Sequence, residues 1–199
     1  MSDITPVALF AHARPDLLAR TLEGLRANAV PLIYAFSDGP RRETENAHVA
    51  AVRTVLRNIA WAEVVHVERT ENLGLYRSIL AGAKHVFERH ETAIICEEDL
   101  LVAPGAYRYL TAALDHYRDD PRVFSVSAWT HARVTPAGVG DQPFFSHRVN
   151  TLFWGDMRRH GKEWITVPRP SDLHSMQREA VTPHHMAPTC HSMPRPKTR

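Results

Sequence analysis

Short apolar runs alternate with helical stripes of apolar residues over the first two thirds of the chain, and this alternation decides its class of fold. The runs predict strands at residues 7–11, 31–36, 62–67, 93–96 and 123–128. Apolar residues between them recur at three- and four-residue spacing, which is typical of helices with one buried face. Strands that alternate with helices form a mostly parallel sheet covered on both faces. We therefore expect an α/β fold of the Rossmann-like kind.

The same spacing predicts which side of each helix is buried. The predicted inner faces are Leu18, Leu22 and Leu25 for the first helix, and Ala47, Ala51 and Val55 for the second. Beyond residue 129 the alternation fades, and the aromatic stretch 144–157 is predicted to hold one further strand or turn.

Composition limits the size of the fold and its partners. The chain has 199 residues, 44% of them hydrophobic, and a net charge of +2, which suits one domain and gives no broad electrostatic footprint for nucleic acid. No apolar run approaches the roughly 18 to 20 residues of a transmembrane segment. Cys96 and Cys190 have no spacing partner for a metal or redox site, so a reduced, cytoplasmic setting is expected.

Three consecutive carboxylates, Glu97, Glu98 and Asp99, directly follow the fourth predicted strand. Like charges this close repel one another, so the arrangement is costly unless a cation or a hydrogen-bond donor satisfies it. Mg²⁺ and Mn²⁺ prefer oxygen ligands and often keep phosphate as a co-ligand. One interpretation is that Asp99 binds a divalent cation and that Glu98 accepts a hydrogen bond from a sugar hydroxyl. The alternative is that the carboxylates cap the next helix or lie in a solvated loop.

Four polar clusters follow predicted strands, at residues 12–14, 37–39, 68–74 and 97–99. Ligands of open parallel sheets bind beyond the carboxyl ends of the strands, so we expect the four clusters to converge on one site. Each has a structural alternative. Asp38 stands before Gly39 and Pro40, an ordinary turn sequence. Arg14 and Arg77 are exposed charges by default.

The segment IICEEDLLVAPGAYRYLTAALDHYRDDPRVFSVSAW resembles the core of GT-A glycosyltransferases. The N-acetylglucosaminyltransferase I type and bacterial family 2 are the most similar groups. Their acidic triplet, followed by a hydrophobic residue, V-A-P and an aromatic helix, holds the metal and the nucleotide sugar. The resemblance implies that Asp99 binds Mn²⁺ or Mg²⁺ and that Glu97 and Glu98 contact the nucleotide sugar.

The resemblance extends upstream and covers about residues 5 to 130. It implies that the loop with His12 and Arg14 contacts the nucleotide, that Asp38 contacts the uracil edge, and that Asn72 and Arg77 lie near the diphosphate. It therefore implies a nucleoside diphosphate sugar, a UDP-sugar in particular, as donor. The acceptor would be a glycan or another hydroxyl compound, and the transfer would invert the anomeric carbon.

An inverting transfer needs a carboxylate base for the acceptor hydroxyl. The candidate is Asp156 in the sequence Phe-Trp-Gly-Asp-Met, with Glu163 and Asp172 as weaker candidates. We expect residues 1–130 to form the nucleotide-sugar-binding core, residues 131–181 a partial acceptor-side region, and residues 182–199 a disordered tail. This C-terminal part is short for an acceptor-binding half, so a catalytically incomplete nucleotide-sugar-binding protein is the alternative.

Two further interpretations are disfavoured. Nucleotidyltransferases that make sugar nucleotides share such a sheet, but they usually carry a glycine-rich N-terminal loop, and residues 11–15 contain no glycine. A zinc site in the tail would use His184, His185, Cys190 and His191, whose spacing and lack of surrounding helix or strand patterns do not suit a closed site.

Overall fold

The computed structural model describes residues 4–140, 142–147 and 150–158. Its strands are β1 (Val7–Ala11), β2 (Leu32–Ser37), β3 (Glu63–Glu68), β4 (Thr92–Glu97), β5 (Ser125–Ser127) and β6 (Trp154–Met157). Within these residues they form one sheet of order β3-β2-β1-β4-β6-β5. The first four strands are parallel, and β6 runs antiparallel to both of its neighbours. The expectation of a mostly parallel sheet is confirmed.

Four helices connect the strands in the described part of the chain: α1 (Pro15–Ala27), α2 (Asn46–Arg57), α3 (Leu75–Phe87) and α4 (Ala106–His116). Successive side chains of a strand point to opposite faces of the sheet. Leu9 belongs to a core cluster with Leu18 of α1, Val52 of α2 and Leu110 of α4. This face of the sheet therefore carries three of the helices.

Helix α3 covers the other face. Phe10 and Phe36 lie on adjacent strands and stack with ring centroids 5.0 Å apart. Gly82 of α3 sits against this pair, since a Cβ at this position would be 2.5 Å from the Phe10 ring. A glycine is thus needed for α3 to approach the two aromatic rings, which lie beneath the ends of β1 and β2.

The predicted inner face holds for α1 and is wrong for α2. Leu18, Leu22 and Leu25 are buried. In α2 the buried residues are Val49, Val52 and Leu56, not Ala47, Ala51 and Val55. Valine and leucine remove more apolar area from water than alanine, so the helix is rotated to bury its bulkier side.

The sequence beyond α4 adds two short strands to one edge of the sheet. β5 is shorter than the predicted run 123–128, and β6 lies between β4 and β5 although it comes last of the three in the chain. The candidates Glu163 and Asp172, the predicted tail 182–199 and its cysteine and histidines lie outside the described residues. Among the described residues, the helices are too short or too polar to cross a membrane.

Candidate functional site

A pocket of about 350 Å³ opens at the carboxyl ends of β1, β2 and β4. Six of its lining residues were predicted from the sequence: His12, Arg14, Asp38, Asn72, Glu97 and Glu98. They come from the four separate strand-end clusters, which the parallel strands bring to one edge of the sheet. The structure thus places the predicted clusters in one pocket.

Arg14 joins two of the three consecutive carboxylates. Its Nε donates to Oε1 of Glu98 and its Nη1 donates to Oδ2 of Asp99, both at 2.8 Å. The Glu98 side chain is 6% exposed, whereas that of Asp99 is 34% exposed. The hydrogen bond to Glu98 is the main reason that the pKa of Arg14 is raised. Arg14 is therefore the counter-ion of this pair in the structure.

Glu97 completes the acidic cluster at the end of β4. Burial raises the pKa of its carboxyl, and the charges of Asp99 and Glu98 raise it further. One guanidinium bonded to two of three carboxylates leaves the cluster with an excess of negative charge. A divalent cation would offset this excess.

The donor chemistry fits such a cation when a diphosphate completes its coordination. Among the described residues, no group of three acidic, histidine or cysteine side chains is placed to hold a metal alone. Sites for Mg²⁺ often use only one or two carboxylates together with substrate phosphates and water. Asp99, the more exposed member of the pair bound by Arg14, is the ligand that such a site would use.

The pKa of Glu97 leads to a prediction about stability. A native state that holds this proton more tightly than the unfolded chain loses stability as the pH rises from the ordinary carboxyl pKa through the raised one. Glu97→Gln removes the titrating group, so the variant should exceed the wild type in free energy of unfolding at pH 7. The two should converge as the pH falls below the ordinary carboxyl range. Urea unfolding followed by circular dichroism from acid to neutral pH measures this.

Glu23→Gln provides the matched control, because Glu23 is exposed on α1. Its difference from the wild type should be small and nearly independent of pH. A Glu97→Gln variant that is less stable than the wild type at pH 7 would contradict the assignment of a penalty to the ionised carboxylate.

Asp38 lies in the pocket wall, and both of its carboxylate oxygens accept hydrogen bonds from other residues of the chain. Oδ1 accepts hydrogen bonds from Arg69 Nη1 at 2.6 Å and from Ser78 Oγ at 3.1 Å, and Oδ2 accepts from the backbone N–H of Leu73 at 3.0 Å. Asp38 is 5% exposed. These bonds tie the end of β2 to the segment 69–74 and to α3. They give Asp38 a structural role in the wall, and the contact with the base that the resemblance implies stays a prediction.

His12 and Asn72 form a second polar network in the pocket. His12 Nε2 lies 3.0 Å from Oε2 of Glu45, and its Nδ1 lies 3.3 Å from Nδ2 of Asn72. Asn72 also donates to the carbonyl of Gly39 at 3.1 Å. The backbone N–H of Gly74 donates to Oδ1 of Asn72 at 3.0 Å. Asn72 thereby shapes the turn that leads into α3.

Three predicted site residues do not line the pocket. Asp99 is linked to it through Arg14, which lines the pocket and donates a hydrogen bond to Asp99 at 2.8 Å. Arg77 is exposed on α3, and the following residue, Ser78, lines the pocket instead. Asp156 is 5% exposed inside β6 and pairs in register with Ala93, near the amino end of β4. Asp156 therefore lies near the amino ends of the parallel strands, whereas the pocket lies at their carboxyl ends.

Sequence reasoning missed Arg69, Ser78 and Arg41. Arg69 immediately follows β3, within a cluster that was predicted, but only the fold shows that it is 85% buried against Asp38. Its guanidinium also lies 5.4 Å from the centre of the Phe36 ring. An arginine after a strand carries no local signal for such a contact, because the partner comes from another strand end.

The fold of this chain is similar to that of a solved structure. This structure is the mannosyltransferase PcManGT from Pyrobaculum calidifontis in complex with GDP-Man and Mn²⁺, with a TM-score of 0.50 and 18% sequence identity. The fold is of the GT-A type. This confirms the fold class expected from the sequence. The match covers 66% of this chain and 36% of the mannosyltransferase, so the chain spans little more than a third of that enzyme.

A second solved structure is 4-diphosphocytidyl-2C-methyl-D-erythritol synthase from Anaerococcus prevotii. It has a TM-score of 0.41 and 13% identity, and the match covers 62% of this chain and 55% of the synthase. No protein-family model matches the chain.

Proposed function

We propose that this protein is a metal-dependent glycosyltransferase of the N-acetylglucosaminyltransferase I or family 2 kind, which transfers a sugar from a UDP-sugar to a hydroxyl acceptor with inversion. The observation that carries the proposal is the convergence of four strand-end clusters on one pocket of a GT-A fold. The carboxylates of the acidic cluster follow β4 on one side of β1, whereas Arg41 and Asn72 follow β2 and β3 on its other side. This division suits a donor with a metal-bound diphosphate at one end and a nucleobase at the other.

At the acidic end, Asp99 would hold Mn²⁺ or Mg²⁺, and Glu98 would accept a hydrogen bond from a hydroxyl of the ribose or the transferred sugar. A bound metal neutralises the charge that develops on the departing diphosphate. Arg14 contributes a guanidinium whose planar donors suit phosphate oxygens. Glu97 lies at the same end and adds negative charge that favours a cation.

At the other end, His12, Asn72 and Arg41 would surround the base. Asp38 supports this region through Arg69 and the backbone of Leu73 and does not itself need to contact the base. The alternative donor in this pocket is a GDP-sugar, as in the mannosyltransferase complex. Uracil and guanine differ in size and in their hydrogen-bonding edges. Competition between UDP-sugars and GDP-sugars for the pocket therefore shows which donor it prefers.

The second candidate function is binding of a nucleotide sugar without transfer. The position of Asp156 favours it, because the residue predicted as catalytic base is buried in β6 and lies away from the pocket. A transferase would then need a base from elsewhere than this strand.

Incubation of the full chain with UDP- and GDP-sugars, Mn²⁺ and a panel of hydroxyl acceptors tests the proposal, with release of nucleoside diphosphate as the readout. We expect release from a UDP-sugar that depends on Mn²⁺ and stops when EDTA is added. Binding of the donor without transfer or hydrolysis would favour the second candidate. Failure to bind any nucleotide sugar would contradict both.

A further inference from the structure

Arg14 donates hydrogen bonds to both Glu98 and Asp99, and Asp99 is the residue proposed to bind the metal. We propose that Arg14 is an internal competitor of the metal, which holds Asp99 until a diphosphate and a metal ion arrive together. The inference rests on the proposed function. It concerns the order and coupling of binding, which the proposed function leaves open.

The two hydrogen bonds of Arg14 differ in their surroundings. The bond from Nε reaches Glu98, whose side chain is 6% exposed, so it lies in a partly buried position. The bond from Nη1 reaches Asp99 at a solvent-exposed position. Desolvation strengthens the first bond and solvent weakens the second. Arg14 is therefore anchored on Glu98 and can release Asp99 at lower cost.

Arg14 and a metal ion bound to Asp99 would compete for the same carboxylate. A metal bound at Oδ2 would stand next to the guanidinium that now donates to Oδ2 at 2.8 Å, and two cations at that separation repel strongly. Metal binding alone therefore costs either this repulsion or the hydrogen bond that is lost when the Nη1 end of Arg14 moves into water. Either cost lowers the affinity for metal in the absence of nucleotide.

A diphosphate changes this balance. Its oxygens accept hydrogen bonds from a guanidinium in the same planar geometry as a carboxylate, so the displaced end of Arg14 gains a new partner. The diphosphate also supplies ligands to the metal. Nucleotide and metal should thus bind with positive coupling, and part of this coupling should pass through Arg14.

Binding of Mn²⁺ to the full chain tests the inference, with electron paramagnetic resonance of free Mn²⁺ as the readout, in the absence and presence of UDP or GDP. We expect Arg14→Gln to bind Mn²⁺ alone about 5-fold or more tightly than the wild type, a factor at the low end of typical coupling between sites. The gain in Mn²⁺ affinity that the nucleotide produces should be smaller in this variant. Arg20→Gln is the matched control, since Arg20 is exposed on α1, the helix that follows Arg14, and it should behave as the wild type.

Arg14→Lys keeps a positive charge but has no planar fork to bridge two carboxylates, so its affinity for Mn²⁺ alone should lie between those of the wild type and Arg14→Gln. This variant decides the question if Arg14→Gln does not fold. Equal Mn²⁺ affinities for the wild type and the Arg14 variants, with binding in the presence of nucleotide retained, would overturn the inference and leave the proposed function intact. Absence of Mn²⁺ binding in every protein, with or without UDP or GDP, would overturn the proposed function and the inference with it.

Discussion

Replacement of Arg69 by methionine is expected to lower the free energy of unfolding by about 3 kcal/mol, because removal of one partner leaves a buried charge unpaired. The Arg69 and Asp38 side chains are 15% and 7% exposed, and their ion pair is 2.6 Å long. Methionine keeps much of the apolar stem but none of the donors. Asp38 would retain its bonds to Ser78 and Leu73 and lose the charged partner that Arg69 provides. Chemical denaturation at neutral pH measures the loss.

Arg57→Met is the matched control. Arg57 makes two hydrogen bonds to Glu68, at 2.9 and 2.7 Å, but its side chain is 59% exposed. An exposed ion pair contributes at most about 1 kcal/mol, so this variant should be close to the wild type. The double variant Arg69→Met with Asp38→Asn removes the buried charge and should be less destabilised than the sum of the two single variants. Equal losses for Arg69→Met and Arg57→Met would contradict the structural role given to the Arg69–Asp38 pair.

Asp99→Ala is expected to reduce metal-dependent turnover by about 100-fold or more, an effect in the range seen when one electrostatic contact to the reacting charge is removed. The variant should remain folded, because Asp99 is a third exposed and Arg14 keeps its bond to Glu98. The loss should appear in turnover at saturating Mn²⁺ as well as in Mn²⁺ affinity. Steady-state release of nucleoside diphosphate from the donor that the wild type uses measures it.

Asp119→Ala is the control for this substitution, since Asp119 is exposed after the end of α4. It should keep wild-type turnover. Equal turnover by the wild type and Asp99→Ala would remove the metal role from Asp99. If Asp99→Ala keeps Mn²⁺ binding but loses turnover, Glu97 or Glu98 would be assigned as the metal ligand and Asp99 would be assigned a contact with the donor.

The first four strands could be predicted because each is an apolar run bounded by turn or charged residues. The last two could not be placed in the same way. β6 enters between β4 and β5 through antiparallel pairing with both, and such pairing depends on side chains distant in the sequence. The buried face of α2 was mistaken because small alanines and larger apolar residues both follow a helical spacing.

The candidate site was predictable to the extent that it follows from topology. Parallel strands bring their carboxyl ends together, so His12, Asp38, Asn72 and Glu97 could be grouped before any contact was known. The partners of these residues could not be predicted in the same way. The side chain of Arg69 bonds to Asp38 in the pocket wall. On α3, Ser78 lines the pocket, whereas the preceding residue, Arg77, does not.

The position of Asp156 shows the limit of motif reasoning. Its sequence surroundings suggested a base near the acceptor, but its strand runs antiparallel to β4 and carries the residue toward the amino end of that strand. The direction of a strand, which the local sequence does not encode, decided the outcome. A base for the proposed transfer must therefore be sought by substitution of other carboxylates.

Isothermal titration calorimetry of a UDP-sugar into the full chain, with and without Mn²⁺, measures whether the pocket binds a nucleotide sugar together with a metal ion. We expect saturable binding at one site that is at least about 5-fold tighter with Mn²⁺, and loss of this metal effect in Asp99→Ala. Binding that is indifferent to Mn²⁺, or no binding of UDP- and GDP-sugars under either condition, would contradict the proposed function.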